Sequence, residues 1–270
     1  MYTGIASGQR FKHPFLTHGE SRAMGQTPLL FLHGFLGDKL SWQYCIVPLS
    51  RHGQVYAIDL PGHGQNEILW NGPMKDMAVW LEDAIDALHL MKCHVIAHSL
   101  GAWIALQAAL RGSARIASLS LVACAGLDSR LDLPLLKGAL SANNESRALD
   151  FARALAGQDG EAVKRLAHHH QNMLHTGAQN LALHKLLEEM ESSVLNADPS
   201  PTDWPSITVP VHFFWCENDC IVPLPHSRAL PKNASISLSK QGGHIPHILA
   251  PGWLTLEIGR FLTSIQANSA

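Results

Sequence analysis

No segment of this chain reads as a membrane span: its uninterrupted apolar runs stay well short of the roughly 18 residues that a bilayer requires. No sign of charge is in excess either. Twenty lysines and arginines stand against 22 acidic residues, a net charge of −2 with the histidines neutral. That leaves no electrostatic basis for nucleic acid or an anionic membrane as partner. Cysteine is scarce and odd in number: five residues, at positions 45, 93, 124, 216 and 220. Cys45, Cys93 and Cys124 lie in or beside apolar segments, as buried free thiols do, and Cys216 with Cys220 reads as an ordinary C-x3-C pair. This usage excludes a disulfide-stapled scaffold and points to a reducing compartment. Residues 1–15 lack the continuous apolar core and small-residue cleavage site of a secretion signal, so the expected location is cytoplasmic. There is no internal repeat and no low-complexity tract.

What is present is enough apolar content, 46% of 270 residues, to bury one large core or a core with a modest insertion. Short apolar runs end at turn signals: 29–33 before Gly34, 55–59 before Pro61-Gly62, 94–99, 119–124 before Gly126, 209–216 before an acidic loop, and 235–238 before Gly242-Gly243-His244. Helix-like stretches fall at 42–50, 74–90 and 102–111, and an amphipathic one closes the chain at 253–265. Continuous apolar strands alternating with helices predict an α/β fold with a mostly parallel central sheet covered on both faces. The first 26 residues have room for one or two edge strands. The alternation fails from 127 to 205, which is rich in helix formers and too long for a plain connection. It is expected to be a helical cap inserted between the sixth and seventh strands, dividing a core of 1–126 and 206–270.

The most informative stretch is Val95-Ile96-Ala97-His98-Ser99-Leu100-Gly101-Ala102. Strand, tight turn and helix in that order are what a nucleophile elbow requires, with Ala97 in place of the first Gly of the usual Gly-x-Ser-x-Gly. A serine hydroxyl is a poor nucleophile until a base takes its proton, and the base needs a third group to fix its tautomer. Asp219, in the loop Glu217-Asn218-Asp219, and His244, in the Gly242-Gly243-His244 turn, supply the set in the order Ser…Asp…His. All three follow strand C-terminal ends, where open α/β sheets bind ligands. Asp128 is the rival acid and His247 the rival base. The segment His33-Gly34-Phe35 offers the backbone N–H of Phe35 to join that of Leu100 in an oxyanion hole, two donors worth about 3 kcal/mol each.

Other residues have blander readings. Asp59 and His63, in the Pro-Gly-His-Gly turn, read as structural. His98, beside the nucleophile, is a packing or hydrogen-bonding residue and a candidate substrate contact; Trp103, Trp204 and Phe151 are cleft candidates that core packing explains equally well. His168-His169-His170, with His175 nearby, invites a metal reading. Three consecutive helical side chains project about 100° apart and cannot close on one ion, so an exposed or partly exposed polar face is expected and no metal site.

Phe31-Leu32-His33-Gly34-Phe35, Asp59-Leu60-Pro61-Gly62-His63-Gly64, the elbow, Trp215-Cys216-Glu217-Asn218-Asp219 and Gly242-Gly243-His244 together resemble the α/β-hydrolase-fold family over essentially the whole chain. The C-terminal half is similar to the hydrolase-like domains of acetoin dehydrogenase acyltransferase components and to pimeloyl-carrier-protein methyl esterases. The elbow and oxyanion segments are similar to the menaquinone-pathway lyase of this fold. The resemblance implies the scaffold more strongly than the reaction. The leading expectation is a serine hydrolase of a small or medium carboxylic ester, needing no metal or organic cofactor and having a small-molecule substrate as its partner. The second is carbon–carbon cleavage or a proton-abstraction lyase step with the same triad. Such enzymes usually bind a substrate carboxylate through cations, here Arg130, Lys137, Arg147, Arg153, Lys164 and Arg165. The third, a non-catalytic ligand receptor, needs none of the triad. Oligomeric state is not encoded in any of these patterns.

Overall fold

Strand β3 (Leu29–Leu32) has no solvent exposure at any residue, and its side chains divide between two cores. Leu29 and Phe31 point to one face of the sheet and Leu30 and Leu32 to the other. That is why the run is continuously apolar instead of alternating: the strand is covered on both sides. A computed structural model describes residues 1–19, 26–127, 132–140, 145–173, 177–193, 204–225, 230 and 234–267.

Among these residues the other strands are β1 (Tyr2–Ser7), β2 (Lys12–His18), β4 (Val55–Ile58), β5 (Cys93–His98), β6 (Ile116–Val122), β7 (Val211–Cys216) and β8 (Ser235–Ser239). They form one sheet in the order β1-β2-β4-β3-β5-β6-β7-β8. From β4 to β8 every pairing is parallel, while β2 pairs antiparallel with both β1 and β4. The first 26 residues thus form two strands, of which β1 lies at the sheet edge while β2 is paired on both sides.

Helices α1 (Gln43–Leu49) and α9 (Pro251–Ala267) cover one face, where Ile46, Leu254 and Ile258 meet Phe31 and Phe214. Helices α2 (Met77–Ala87) and α3 (Leu100–Leu110) cover the other. Helix α3 is apolar nearly all round because it lies between the sheet and further helices. Between β6 and β7 lie α4 (Leu133–Leu140), α5 (Glu145–Ala156), α6 (Glu161–Met173) and α7 (Gly177–Ser193). Ala148, Ala152 and Ala156 recur every four residues on α5 and bury against Val163 and Ala167 of α6, so small residues set the contact between these helices. The short α8 (Pro246–Leu249) follows the last strand. No helix among the described residues is long and apolar enough to cross a membrane.

Candidate active site

Strand β5 ends at His98 and α3 begins at Leu100, so Ser99 alone makes the turn, at φ 49° and ψ −111°. Non-glycine residues rarely adopt this conformation; it costs on the order of 1–3 kcal/mol and persists only where surrounding structure imposes it. Here the Ser99 N–H donates to Val122 O at 2.9 Å, and the Ser99 carbonyl accepts from Trp103 N–H at 3.0 Å. A Cβ on Gly101 would lie 2.4 Å from the carbonyl oxygen of His33, so only glycine lets α3 approach the end of β3 this closely.

Asp219 and His244 are brought together. The buried Asp219 carboxylate accepts at Oδ1 from the N–H groups of Ile221 and Val222, both at 2.9 Å, and at Oδ2 from His244 Nδ1, also at 2.9 Å. A carboxylate only accepts, so the imidazole proton sits on Nδ1 and Nε2 is left free to take a proton. The His244 N–H donates to Leu155 O at the end of α5, 2.8 Å away. His247 has no such partner. Its Nδ1 is buried without a hydrogen bond among the described residues, and its ring lies 4.7 Å from that of Trp42. The rival acid, Asp128, lies outside the described residues.

The turn after β3 is braced by two neutral histidines. His33 donates from Nδ1 to Gly34 O at 2.7 Å and accepts the Leu60 N–H at Nε2 at 2.9 Å. His63 donates from Nδ1 to Pro61 O at 2.9 Å and accepts the Leu36 N–H at 3.1 Å. Each ring therefore takes an N–H from the other's loop. Asp59, wholly buried, ties down the start of the next helical turn: it accepts from Lys39 N–H at 2.7 Å and pairs with Lys39 Nζ at 2.5 Å. Within this brace the Phe35 N–H, like the Leu100 N–H at the first position of α3, donates to no group of the described residues.

Burial holds these imidazoles uncharged. It lowers His63 to about 3, with the neighbouring His33 adding to the effect, and lowers His247 to about 3, with His244 and His33 adding. His98 is driven well below the ordinary histidine value by burial first and by His247 and His244 second. Unfolded histidines take their proton near 6.5. The unfolded chain thus binds more protons between about 6.5 and 3, and folding stability is full above that window and falls as pH drops through it. Each such histidine contributes a slope of up to about 1.4 kcal/mol per pH unit. The urea midpoint is expected to decline steadily from pH 7 to pH 5 at constant m-value; a flat midpoint would show that these rings are hydrated in the folded state.

A cavity of about 390 Å³ lies between the turns bearing Phe35, His98 and His244 and the helices α5 and α6. Phe35, His98 and His244 line it from one side, and Phe151, Arg165 and His170 from the other. Of the expected substrate contacts, His98 and Phe151 therefore border the cavity. Trp103 does not: it packs in the core on α3, 1% exposed, and Trp204 is likewise buried, edge-on to Phe213. The polar-face reading of the histidine run holds for His168 and His169 and fails for His170, which is buried and bonds Ala139 O at 2.9 Å, while His175 lies outside the described residues. A helix shows each residue of such a run to a different neighbour, so one face turns inward. Sequence reasoning missed the role of Lys39 and the pinning of His244 by α5, since neither contact leaves a local pattern. All five cysteines are free, and only Cys220 is exposed.

Comparison with known proteins agrees with this architecture. The model of the alpha/beta hydrolase family matches residues 29–254. The dihydrolipoyllysine-residue acetyltransferase component of the acetoin cleaving system from Pseudomonas putida is 27% identical over 241 residues, covering 88% of this chain and 64% of that protein. The chain thus spans a little under two-thirds of that relative's length. The 2-succinyl-6-hydroxy-2,4-cyclohexadiene-1-carboxylate synthase of Escherichia coli O157:H7 is 31% identical over 102 residues, 38% of this chain and 39% of that one. Among solved structures, 2-hydroxy-6-oxo-6-phenylhexa-2,4-dienoate hydrolase from Rhodococcus sp. strain RHA1 superposes with a TM-score of 0.80 at 18% identity, over 96% of this chain and 98% of that chain. That likeness is one of fold.

Proposed function

Because the chain belongs to the alpha/beta hydrolase family, we propose that it is a serine hydrolase cleaving a small or medium carboxylic ester. The observation that carries this reading is the 2.9 Å bond from His244 Nδ1 to buried Asp219, in a loop whose His244 carbonyl is bonded by His98, the residue before the strained turn at Ser99. Ser99 Oγ attacks the ester carbonyl carbon as its proton passes to His244 Nε2. The N–H groups of Phe35 and Leu100 hold the oxyanion. His244 then returns the proton to the departing alkoxide, leaving an acyl-serine. Water attacks that acyl group by the same route and frees the acid. The helices between β6 and β7 act as a cap, residues 127–205, over a core of 1–126 and 206–270, and their packing sets the acyl chain accepted.

A second reading, carbon–carbon cleavage in a diketone bearing a carboxylate, is favoured by one observation. Lys137 pairs with Glu191, Arg153 with Asp150 and Asp159, and Lys164 with Glu161. Arg147 opens on a separate depression, and Arg130 lies outside the described residues. Arg165 borders the cavity and has no ion pair among the described residues.

Hydrolysis of p-nitrophenyl esters from acetate to dodecanoate, followed before and after titration with a fluorophosphonate, tests the first reading. Turnover with a chain-length optimum, lost in step with one phosphonyl group on Ser99, is the expected result. A folded protein that turns over no ester and cleaves the diketone would establish the second reading instead.

A further inference from the structure

His244 is held at both of its main-chain polar atoms. Its N–H is fixed by Leu155 O, and its carbonyl accepts from His98 Nε2 at 2.7 Å. The carbonyl can only accept, so the His98 proton sits on Nε2. The His98 ring is wedged between two others, with centroids 4.7 Å from His244 and 4.5 Å from His247. Its opposite edge faces the oxyanion turn: a Cβ placed on Gly34 would lie 2.5 Å from His98 Nδ1 and 3.1 Å from Ser99 Cβ. One side chain therefore touches the base loop and the oxyanion turn while its own backbone leads into the nucleophile.

We infer that His98 is a positioning residue, whose Nε2–H seats the His244 loop over Ser99 and thereby governs the rate of proton transfer. The inference rests on the serine mechanism proposed above. The base sits just past a Gly-Gly turn in left-handed backbone, so its place depends on how that loop is held, and a displacement near 1 Å is enough to cost about a hundredfold in rate. A hydrogen bond from the residue adjoining the nucleophile ties the base to the very turn it must serve. An imidazole suits the place because burial keeps it neutral. It adds no positive charge beside the imidazolium that forms on His244 during turnover.

The test compares His98→Asn and His98→Gln. The glutamine Nε2 reaches the place of the histidine Nε2, whereas the asparagine Nδ2 falls short of it. His98→Asn is expected to lower kcat about tenfold to a hundredfold with KM changed less than about threefold, and His98→Gln to recover most of that loss. Thermal unfolding of both variants guards against a merely structural effect. Equal activity of the two variants, whether both full or both impaired, overturns the inference. Should neither fold, nitrogen-15 NMR of the wild-type imidazoles decides it: a neutral His98 protonated on Nε2 is expected, and a proton on Nδ1 or a charged ring is fatal to it. Turnover that survives in Ser99→Ala would instead overturn the serine reading. An inactive Ser99→Ala beside a fully active His98→Asn would remove only the role of His98.

Discussion

Ser99→Ala is expected to reduce p-nitrophenyl ester turnover by about ten-thousandfold or more while the protein stays folded. The size follows from the role proposed for the hydroxyl: in that mechanism no acyl-serine forms without it, and the oxyanion donors and bound substrate are left to assist direct attack by water. Alanine keeps the Cβ, so the unusual backbone at φ 49° is asked of a residue of nearly the same shape, and the supporting bonds to Val122 O and from Trp103 N–H involve only main chain. The fold should therefore be untouched, as circular dichroism and the urea midpoint can check. A rate within about tenfold of wild type would place the nucleophile elsewhere in the chain or the chemistry outside acyl transfer.

Asp219→Asn should cost roughly a thousandfold to ten-thousandfold in kcat, by analogy with the same change in another triad. The direction comes from how the carboxylate is held. The N–H groups of Ile221 and Val222 both point at Oδ1, so an asparagine at 219 must keep its carbonyl oxygen there and turn its NH₂ toward His244. The imidazole then accepts at Nδ1 and carries its proton on Nε2, the nitrogen that receives the serine proton in the proposed mechanism. The base is present and in the wrong tautomer. Stability should change little, because the two backbone bonds survive. A variant retaining more than about a tenth of wild-type kcat would shift the acid to another carboxylate, with Asp128 the first to test.

Much of this was legible along the chain. The apolar runs that end at Gly34, at Pro61-Gly62 and at Ser99 correspond to β3, β4 and β5, to within one residue at each boundary. The parallel sheet follows from strands that are apolar without alternation. The helical stretch between β6 and β7 shows in its composition, since α4 to α7 are built from helix formers. Local geometry was less so. The apolar run 29–33 predicts a strand through His33, yet β3 stops at Leu32 because His33 turns to brace Gly34 and Leu60.

The division between sequence and tertiary structure comes down to the range of the interaction concerned. Strand and helix periodicity and the small residues around Ser99 depend on neighbours a few positions apart, and the order Ser…Asp…His is a property of the linear chain, so all of these can be read in one dimension. The sequence favours His244 over His247 without fixing which imidazole receives the Asp219 carboxylate; that, which aromatic residues face the cavity and which pack in the core, and which cation is left unpaired among the described residues cannot be read so. They depend on contacts between residues far apart in sequence, such as His98 with His244 or His63 with Leu36. His244 and His247 are chemically identical side chains three positions apart. Only the folded loop, pinned by Leu155 on one side and His98 on the other, gives the carboxylate to one and leaves the other buried against Trp42.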